Sequence, residues 1–300
     1  MMRACNLDLL NLKRMALNSK KVLITGINGQ LGSALSKYLA NFYNIVNDFL
    51  GETAIIDVTD RECIQQIILD HCPDYVINCA AATNVDKCEL NRKWAYDVNV
   101  NGIKNIIAST KLNTKIIHIS TDYVFDGKKD SFNEKDPPSP LSYYGKTKLE
   151  AENILRSSNR EHLILRTSVI FGNYGNNFYT WVHKSLLENK RISVVTDQIS
   201  NPTWAWSLSE AIYKSMINNL HGLYHFAGDE IISRYEFALK IANANNLNSD
   251  NIIPIQTKEL QQSAKRPSCS TLNTDKIREQ ISIEHPSIEY VLNTINKNDV

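Results

Sequence analysis

The sequence lacks the features that define several classes of protein. Its six cysteines form no CxxC pair and no zinc-ligand spacing, which argues against a structural zinc site or a disulfide scaffold. No apolar run approaches the length of a membrane span. Thirty-three basic residues face 32 acidic ones, so the charge balance offers no basic surface for nucleic acid. We therefore expect no metal, no nucleic-acid partner and no membrane partner.

The N-terminal residues 1–19 contain only a short, interrupted apolar patch and no clear cleavage site of the signal-peptide kind. We predict a loosely ordered extension on a cytoplasmic protein. The length of 300 residues, with 43% hydrophobic and 22% charged residues, suits a globular enzyme of one large α/β domain with a smaller lobe. The sequence leaves the oligomeric state open, with a homodimer as one candidate because two-fold dimers are the commonest assembly.

Short apolar strands alternate with helical patterns through the first half of the chain. Thr59 is predicted to cap the helix that follows it, because Glu62 three residues later completes a capping box. The alternation predicts a parallel sheet with helices on both faces. The predicted strands cover residues 21–25, 43–48, 54–58, 75–80, 115–120 and 162–167.

Gly26, Gly29 and Gly32 stand between the first predicted strand and the first predicted helix. A tight turn needs the first glycine, close approach of a pyrophosphate needs the second, and strand–helix packing needs the third. Free amides at the start of the helix favour phosphate charge. An ordinary strand–helix turn is the alternative interpretation. In this context we predict a Rossmann-type, doubly wound dinucleotide-binding core over 20–167. A smaller, mainly substrate-binding lobe over 168–300 would return one strand or more to the core sheet.

Asp48 ends the second predicted strand, where a carboxylate accepts ribose hydroxyls and repels a 2′-phosphate. Its position favours NADH over NADPH, although a solvated loop acid is the alternative. Asp57 is a candidate for the adenine edge, and the alanines after the fourth strand offer a flat wall for the cofactor. The predicted cofactor residues are Gly26, Asn28, Gly29, Gln30, Leu31, Gly32, Asp48, Asp57, Val58, Ala80, Ala81, Ala82, Asn99, Tyr144 and Lys148.

Tyr144 and Lys148 lie one turn apart at the start of a predicted helix. A nearby ammonium would lower the pKa of the phenol toward neutrality, and the lysine could also bind the nicotinamide ribose. Thr121 ends a predicted strand at the carboxyl edge, where such sheets place ligands. The Y-x-x-x-K spacing alone occurs often by chance in protein sequences. After the glycine motif it predicts a catalytic set of Thr121, Tyr144 and Lys148.

Segments spread over residues 21–276 resemble the extended short-chain dehydrogenase/reductases, and within them the dTDP-4-dehydrorhamnose reductase family. They include LITGINGQLGSAL, ISTDYVFDG, YYGKTKLEAE, VVTDQISNPT and RPSCSTLNT. The resemblance implies reduction of the C4 ketone of a nucleotide-linked 4-keto-6-deoxyhexose by NADH or NADPH, with Tyr144 as proton donor. It also implies sugar contacts at Asp122 and Tyr123. Four further substrate residues are candidates near the nucleotide: Asn177, Phe178, Gln198 and Arg266.

Two departures from the family pattern leave the substrate open. Val169 stands where relatives often have an aromatic residue, so the sugar stereochemistry and the base (dTDP or UDP) stay undecided. Tyr123 stands where epimerising relatives carry cysteine, which predicts reduction without epimerisation. A bifunctional epimerase/reductase is a minor alternative. A generic epimerase or dehydratase is another. The methionine adenosyltransferase beta subunit also resembles this fold, so a non-catalytic regulatory subunit is the alternative from a different class.

Overall fold

The computed structural model describes residues 19–49, 52–53 and 56–296, without the side chains of residues 48, 49, 52 and 53. Residues 1–18 of the predicted extension lie outside the described part. The strands are β1 (Lys21–Thr25), β2 (Asn44–Ile45), β3 (Asp48–Phe49), β4 (Glu52–Thr53), β5 (Tyr75–Asn78), β6 (Lys115–Thr121), β7 (His162–Thr167), β8 (Ile170–Phe171), β9 (Ile192–Val195), β10 (Ile199–Ser200), β11 (Thr203–Trp204), β12 (Gly222–His225), β13 (Ile232–Ser233) and β14 (Ile252–Ile255).

The α-helices alternate with these strands in the first half of the chain and dominate the second half. They are α1 (Gln30–Leu39), α2 (Arg61–His71), α3 (Val85–Leu90), α4 (Arg92–Tyr96), α5 (Gly102–Ser109), α6 (Tyr143–Ser157), α7 (Phe178–Leu187), α8 (Ala205–Ile217), α9 (Arg234–Ala244), α10 (Asp275–Ile281) and α11 (Ile288–Asn296). A π-helical turn, Asp97–Asn101, joins α4 to α5.

Six parallel strands of the described chain form the central sheet in the order β12-β7-β6-β5-β1-β2. This arrangement confirms the predicted α/β class with a parallel sheet. The register pairs Thr25 with Asn78 and Thr121 with Thr167, so the carboxyl ends of four adjacent strands meet at one edge. Strand β12 comes from the second half of the chain and pairs with β7.

Two apolar layers cover the sheet. Leu35 of α1 and Leu208 of α8 are fully buried on one face, and Ile64 of α2 and Ile103 of α5 are fully buried on the other. A separate core in the second half of the chain joins α7, α9 and α11 around Phe237 and the β9–β14 pair. The C-terminal lobe therefore has apolar packing of its own beside the sheet.

Two predicted strands are wrong in extent. The segment predicted as a strand over 43–48 joins the sheet only through β2, while β3 turns back against β4 as an antiparallel pair. In the segment 54–58, residues 54 and 55 lie outside the described part and residues 56–58 form no strand. The predicted third strand is therefore not an edge strand of the sheet within the described chain.

The predicted cap of α2 is off by one residue. Asp60, not Thr59, caps the helix: its carboxylate accepts a hydrogen bond from the amide of Cys63 at 3.0 Å. Thr59 is held in a preceding turn, because its amide and hydroxyl both donate to the carboxylate of Asp57, at 2.9 and 2.8 Å. The capping box predicted with Glu62 is therefore absent.

Candidate active site

A cavity of about 600 Å³ opens at the carboxyl edge of the sheet, beside the start of α1 and α6. Both halves of the chain contribute to its wall. The lining residues that the sequence predicts are Asn28, Gly29, Gln30, Leu31, Ala81, Thr121, Asp122, Tyr123, Tyr144, Lys148, Val169, Asn177 and Phe178. The cavity therefore brings the predicted catalytic set together with the glycine bend.

The backbone packs so closely at the bend between β1 and α1 that two of its positions require glycine. Gly26 has a φ of 67°, and a Cβ atom there would lie 2.8 Å from the amide nitrogen of Ala80. A Cβ atom at Gly32 would overlap the carbonyl oxygen of Gly26. Helix α1 begins without a side-chain cap at Gly29, so its first amides have no side-chain acceptor.

One polar atom at this bend has no protein partner. The buried side-chain nitrogen of Gln30, Nε2, makes no hydrogen bond to the described residues. A buried donor left unpaired is costly, and an acceptor such as a phosphate oxygen would satisfy it. The glycine cradle, the helix start and this donor therefore fit the diphosphate of a dinucleotide.

Helix α6 places Tyr144 and Lys148 on the cavity wall. Ser142 caps the helix by accepting a hydrogen bond from the amide of Gly145 at 3.2 Å. Thr121, at the end of β6, lines the same cavity and lies close enough to Tyr144 to oppose the rise that burial causes in the pKa of the phenol. Strand and helix thus present two hydroxyl groups to the same cavity.

Lys148 is buried and its amino group is held behind the phenol. Nζ donates to the carbonyl oxygen of Ile119 at 2.6 Å and lies 3.4 Å from Nε2 of His118. Burial lowers the pKa of Lys148 to about 8, and the carboxylate of Glu152 opposes that shift. The group therefore gains or loses its charge near physiological pH.

The pKa of Tyr144 corrects one expectation. Burial raises it above its ordinary value, and the interaction with Thr121 only partly opposes the change. The effect of burial therefore outweighs the predicted lowering. A raised pKa keeps the phenol protonated, which suits a group that donates a proton to a developing alkoxide.

Asp122 and Tyr123 follow directly in the wall. The buried carboxylate of Asp122 accepts hydrogen bonds from three hydroxyls, those of Thr121, Ser168 and Ser270, at 3.0, 2.8 and 2.5 Å. The Tyr123 ring lies edge-on to that of Tyr144, with centroids 6.0 Å apart. Asp122 is therefore held rigidly, and Tyr123 continues the wall beside Tyr144.

The substrate residues predicted in the C-terminal lobe divide into two groups. Asn177 caps α7, and Phe178 stacks on Phe237 while also lining the cavity. Gln198 and Arg266 are not among the lining residues. Gln198 donates to Thr257 at 3.0 Å, and Arg266 forms an ion pair at 2.5 Å with a carboxylate of α3, that of Asp86.

Several predicted cofactor residues shape the wall without lining it. Asn99 accepts a hydrogen bond from the amide of Ala82 at 2.8 Å and donates to Thr147 at 2.9 Å, so it ties the strand end to α6. Asp57 is occupied by its bonds to Thr59. Gly26, Gly32, Val58 and Ala80 are likewise outside the lining, and the side chain of Asp48 lies outside the described part.

The sequence motifs missed Arg234, which lines the cavity from the first position of α9. One pattern in the sequence indicates the helix that carries Arg234. Ser233 and Glu236 form a capping box around it, which marks the start of the helix. A cation in a first turn is disfavoured by the helix dipole and therefore calls for an explanation.

Comparisons with known proteins agree with this geometry. The RmlD substrate binding domain model matches residues 20–299. The chain is 35% identical to a dTDP-4-dehydrorhamnose reductase of Aggregatibacter actinomycetemcomitans, over 92% of this chain and 98% of that protein. It is 34% identical to the spore coat polysaccharide biosynthesis protein SpsK of Bacillus subtilis, over 86% of this chain and 91% of that protein. The chain belongs to the RmlD substrate binding domain family.

A solved structure extends the likeness to the fold. The dTDP-4-dehydrorhamnose reductase of Bacillus anthracis, in complex with NADP, superimposes with a TM-score of 0.86 at 34% identity and covers 93% of this chain and 99% of that one. In this RmlD family member, no described helix could span a membrane. Its described residues also contain no group of three or more side chains suited to a metal ion.

Proposed function

We propose that the chain reduces the C4 ketone of a nucleotide-linked 4-keto-6-deoxyhexose with NADH or NADPH. The observation that carries the proposal is the meeting of Thr121, Tyr144 and Lys148 at one cavity beside the glycine bend. The relatives that are named dTDP-4-dehydrorhamnose reductase and the NADP complex of one of them support it.

The residues of the bend would hold the cofactor. Gly29 and the first turn of α1 would receive its diphosphate, and the Gln30 side chain offers a donor that has no protein partner. Lys148 would bind the nicotinamide ribose, because it lines the cavity from α6. The bound cofactor supplies the hydride that reduces the ketone.

The chain's own residues then act on the ketone oxygen. The hydroxyls of Thr121 and Tyr144 would hold it from one side. Tyr144 would transfer its phenolic proton to that oxygen as the C4 alkoxide forms, and burial keeps the proton on Tyr144 until then. Asp122 would contact the sugar from a position that three hydroxyl groups fix.

Two finer properties belong to the same proposal. We propose reduction without epimerisation, because Tyr123 stands on the wall where epimerising relatives carry a cysteine. We also propose a preference for NADH from Asp48, at the end of the β1–α1–β2 unit. The NADP complex of the Bacillus anthracis relative makes a direct comparison of the two cofactors essential.

The test is a panel of dTDP- and UDP-linked 4-keto-6-deoxy sugars with NADH or NADPH, followed at the nicotinamide absorbance. Oxidation of the cofactor that depends on the sugar supports the proposal. Reactions in deuterium oxide then report epimerisation as deuterium at C3 or C5 of the product. Cofactor binding without oxidation by any member of the panel contradicts the proposal and favours a regulatory subunit.

A further inference from the structure

Arg234 is a cation of the cavity wall that the steps above do not use. It lies at the first position of α9, half-buried, and its backbone amide donates to the carbonyl oxygen of Gln198 at 3.1 Å. Its guanidinium packs over the Phe178 ring, 5.1 Å from the centroid, and its charge opposes the rise that burial causes in the pKa of Tyr123. The side chain therefore packs on an aromatic ring and lies beside a neutral phenol.

No carboxylate in the described part of the chain forms an ion pair with this guanidinium. Asp122 is the acidic group whose field reaches it, but that carboxylate is already bonded to three hydroxyl groups. Arg266, nearby, differs because two bonds to Asp86, at 2.5 and 3.2 Å, satisfy it. Arg234 thus keeps donors and charge available to a ligand.

The position of the charge is unfavourable for the helix itself. A cation in the first turn meets the positive end of the helix dipole, and the capping box of Ser233 and Glu236 fixes α9 as starting there. An anion bound at Arg234 removes this penalty. A planar guanidinium with free N–H groups matches phosphate oxygens in a bidentate manner.

We infer that Arg234 binds the diphosphate of the nucleotide-linked substrate. The inference rests on the proposed function. Tyr123, which Arg234 adjoins, packs edge-on to the ring of Tyr144. Arg234 and Tyr144 both line the cavity.

The anion could also come from the cofactor, which carries a diphosphate of its own. The substrate is favoured because the glycine bend already provides a cradle at the start of α1, whereas Arg234 belongs to the C-terminal lobe. The lobe meets the cavity at Val169, Asn177 and Phe178, beside Arg234. Two separate binding measurements distinguish the two sources.

The experiment measures the affinity of the full chain for dTDP, UDP and the matching monophosphates, and separately for NADH and NADPH, by titration calorimetry. Wild type should bind one nucleoside diphosphate more tightly than its monophosphate. Arg234→Gln should weaken diphosphate binding about 10- to 100-fold, as expected for a lost charge-assisted bidentate contact. Monophosphate and cofactor affinities should change less than 3-fold, and Arg234→Lys should lie between wild type and Arg234→Gln.

The matched control is Arg156→Gln, an equal loss of charge at an exposed position in the last turn of α6. It should leave every affinity unchanged. In turnover, Arg234→Gln should raise KM for the sugar nucleotide while kcat stays within about 3-fold of wild type. A variant that had lost its structure would instead show a lower kcat.

Three results would overturn the inference. Unchanged diphosphate affinity in Arg234→Gln would show that Arg234 does not bind the diphosphate. A selective loss of cofactor affinity would show that Arg234 binds the cofactor instead. If Arg156→Gln weakened diphosphate binding as much as Arg234→Gln does, the effect would come from the net charge of the protein and not from a contact at Arg234. A wild-type chain that binds the cofactor but neither nucleoside diphosphate contradicts the proposed function itself. Arg234→Lys provides the same readouts if Arg234→Gln does not fold.

Discussion

The buried ion pair between Glu152 and Arg166 connects the stability of the fold to the chemistry of the site. Arg166 donates to both carboxylate oxygens, at 2.7 and 2.9 Å, and Ser120 donates to one of them at 2.5 Å. The side chains are 0% and 2% exposed. Glu152→Gln keeps the volume of this side chain but leaves the Arg166 charge unpaired away from water.

The expected cost follows from this burial. Removing one partner of a buried pair costs about 3–5 kcal/mol, because the remaining charge stays desolvated. A domain with a free energy of unfolding of about 5–15 kcal/mol would lose a large part of it. The carboxylate also raises the pKa of Lys148 against the effect of burial. Its loss should therefore move the pKa of Lys148 further below about 8.

Two assays follow from the same substitution. Urea unfolding should show a lower midpoint with an unchanged slope, and the alkaline limb of kcat/KM should move to lower pH. Glu150→Gln is the control, since Glu150 lies on the same helix, is exposed and bonds only Tyr96 in the described chain, at 2.9 Å. A Glu152→Gln chain within 1 kcal/mol of wild type, with an unmoved alkaline limb, refutes the reasoning.

Two further predictions concern the cofactor cradle and the lysine. Gly26→Ala places a Cβ atom 2.8 Å from Ala80 at a φ of 67°. We therefore expect the free energy of unfolding to fall by about 2–4 kcal/mol and cofactor binding to weaken at least 10-fold. Gly172→Ala is the control: its closest contact would be 3.6 Å, so thermal melting and cofactor titration should give the wild-type values. Because the pKa of Lys148 is lowered to about 8, its ammonium is lost as the pH rises through that value, and kcat/KM should fall there; a flat profile up to pH 10 contradicts this.

The sequence predicted the parts of the fold that local patterns determine. Strands such as β6 are buried along their whole length. Continuous burial is typical of parallel sheets, whose two faces are both covered by helices, and the apolar runs in the sequence predicted it. The edge was harder to predict. The segment 43–58 reads as two strands, yet most of its described residues pair outside the sheet or not at all, because pairing at an edge depends on partners that local sequence does not specify.

The site shows the same division. The meeting of Thr121, Tyr144 and Lys148 at one cavity was predictable, since a strand end and a helix start that follow the glycine motif place them. The direction of the shift in the Tyr144 pKa was not, because it depends on how deeply the folded chain buries the phenol. Arg234 comes from a distant segment, and only the folded lobe brings it to the cavity.

The central claim is that Tyr144 donates the proton to the ketone oxygen. The most direct measurement is a single-turnover reduction of a 4-keto-6-deoxy sugar nucleotide by Tyr144→Phe, with cofactor affinity measured in parallel. Loss of the proton donor should slow the chemical step by about 10²–10⁴-fold while cofactor affinity stays near wild type. A rate close to that of wild type, with the cofactor bound, would contradict the account.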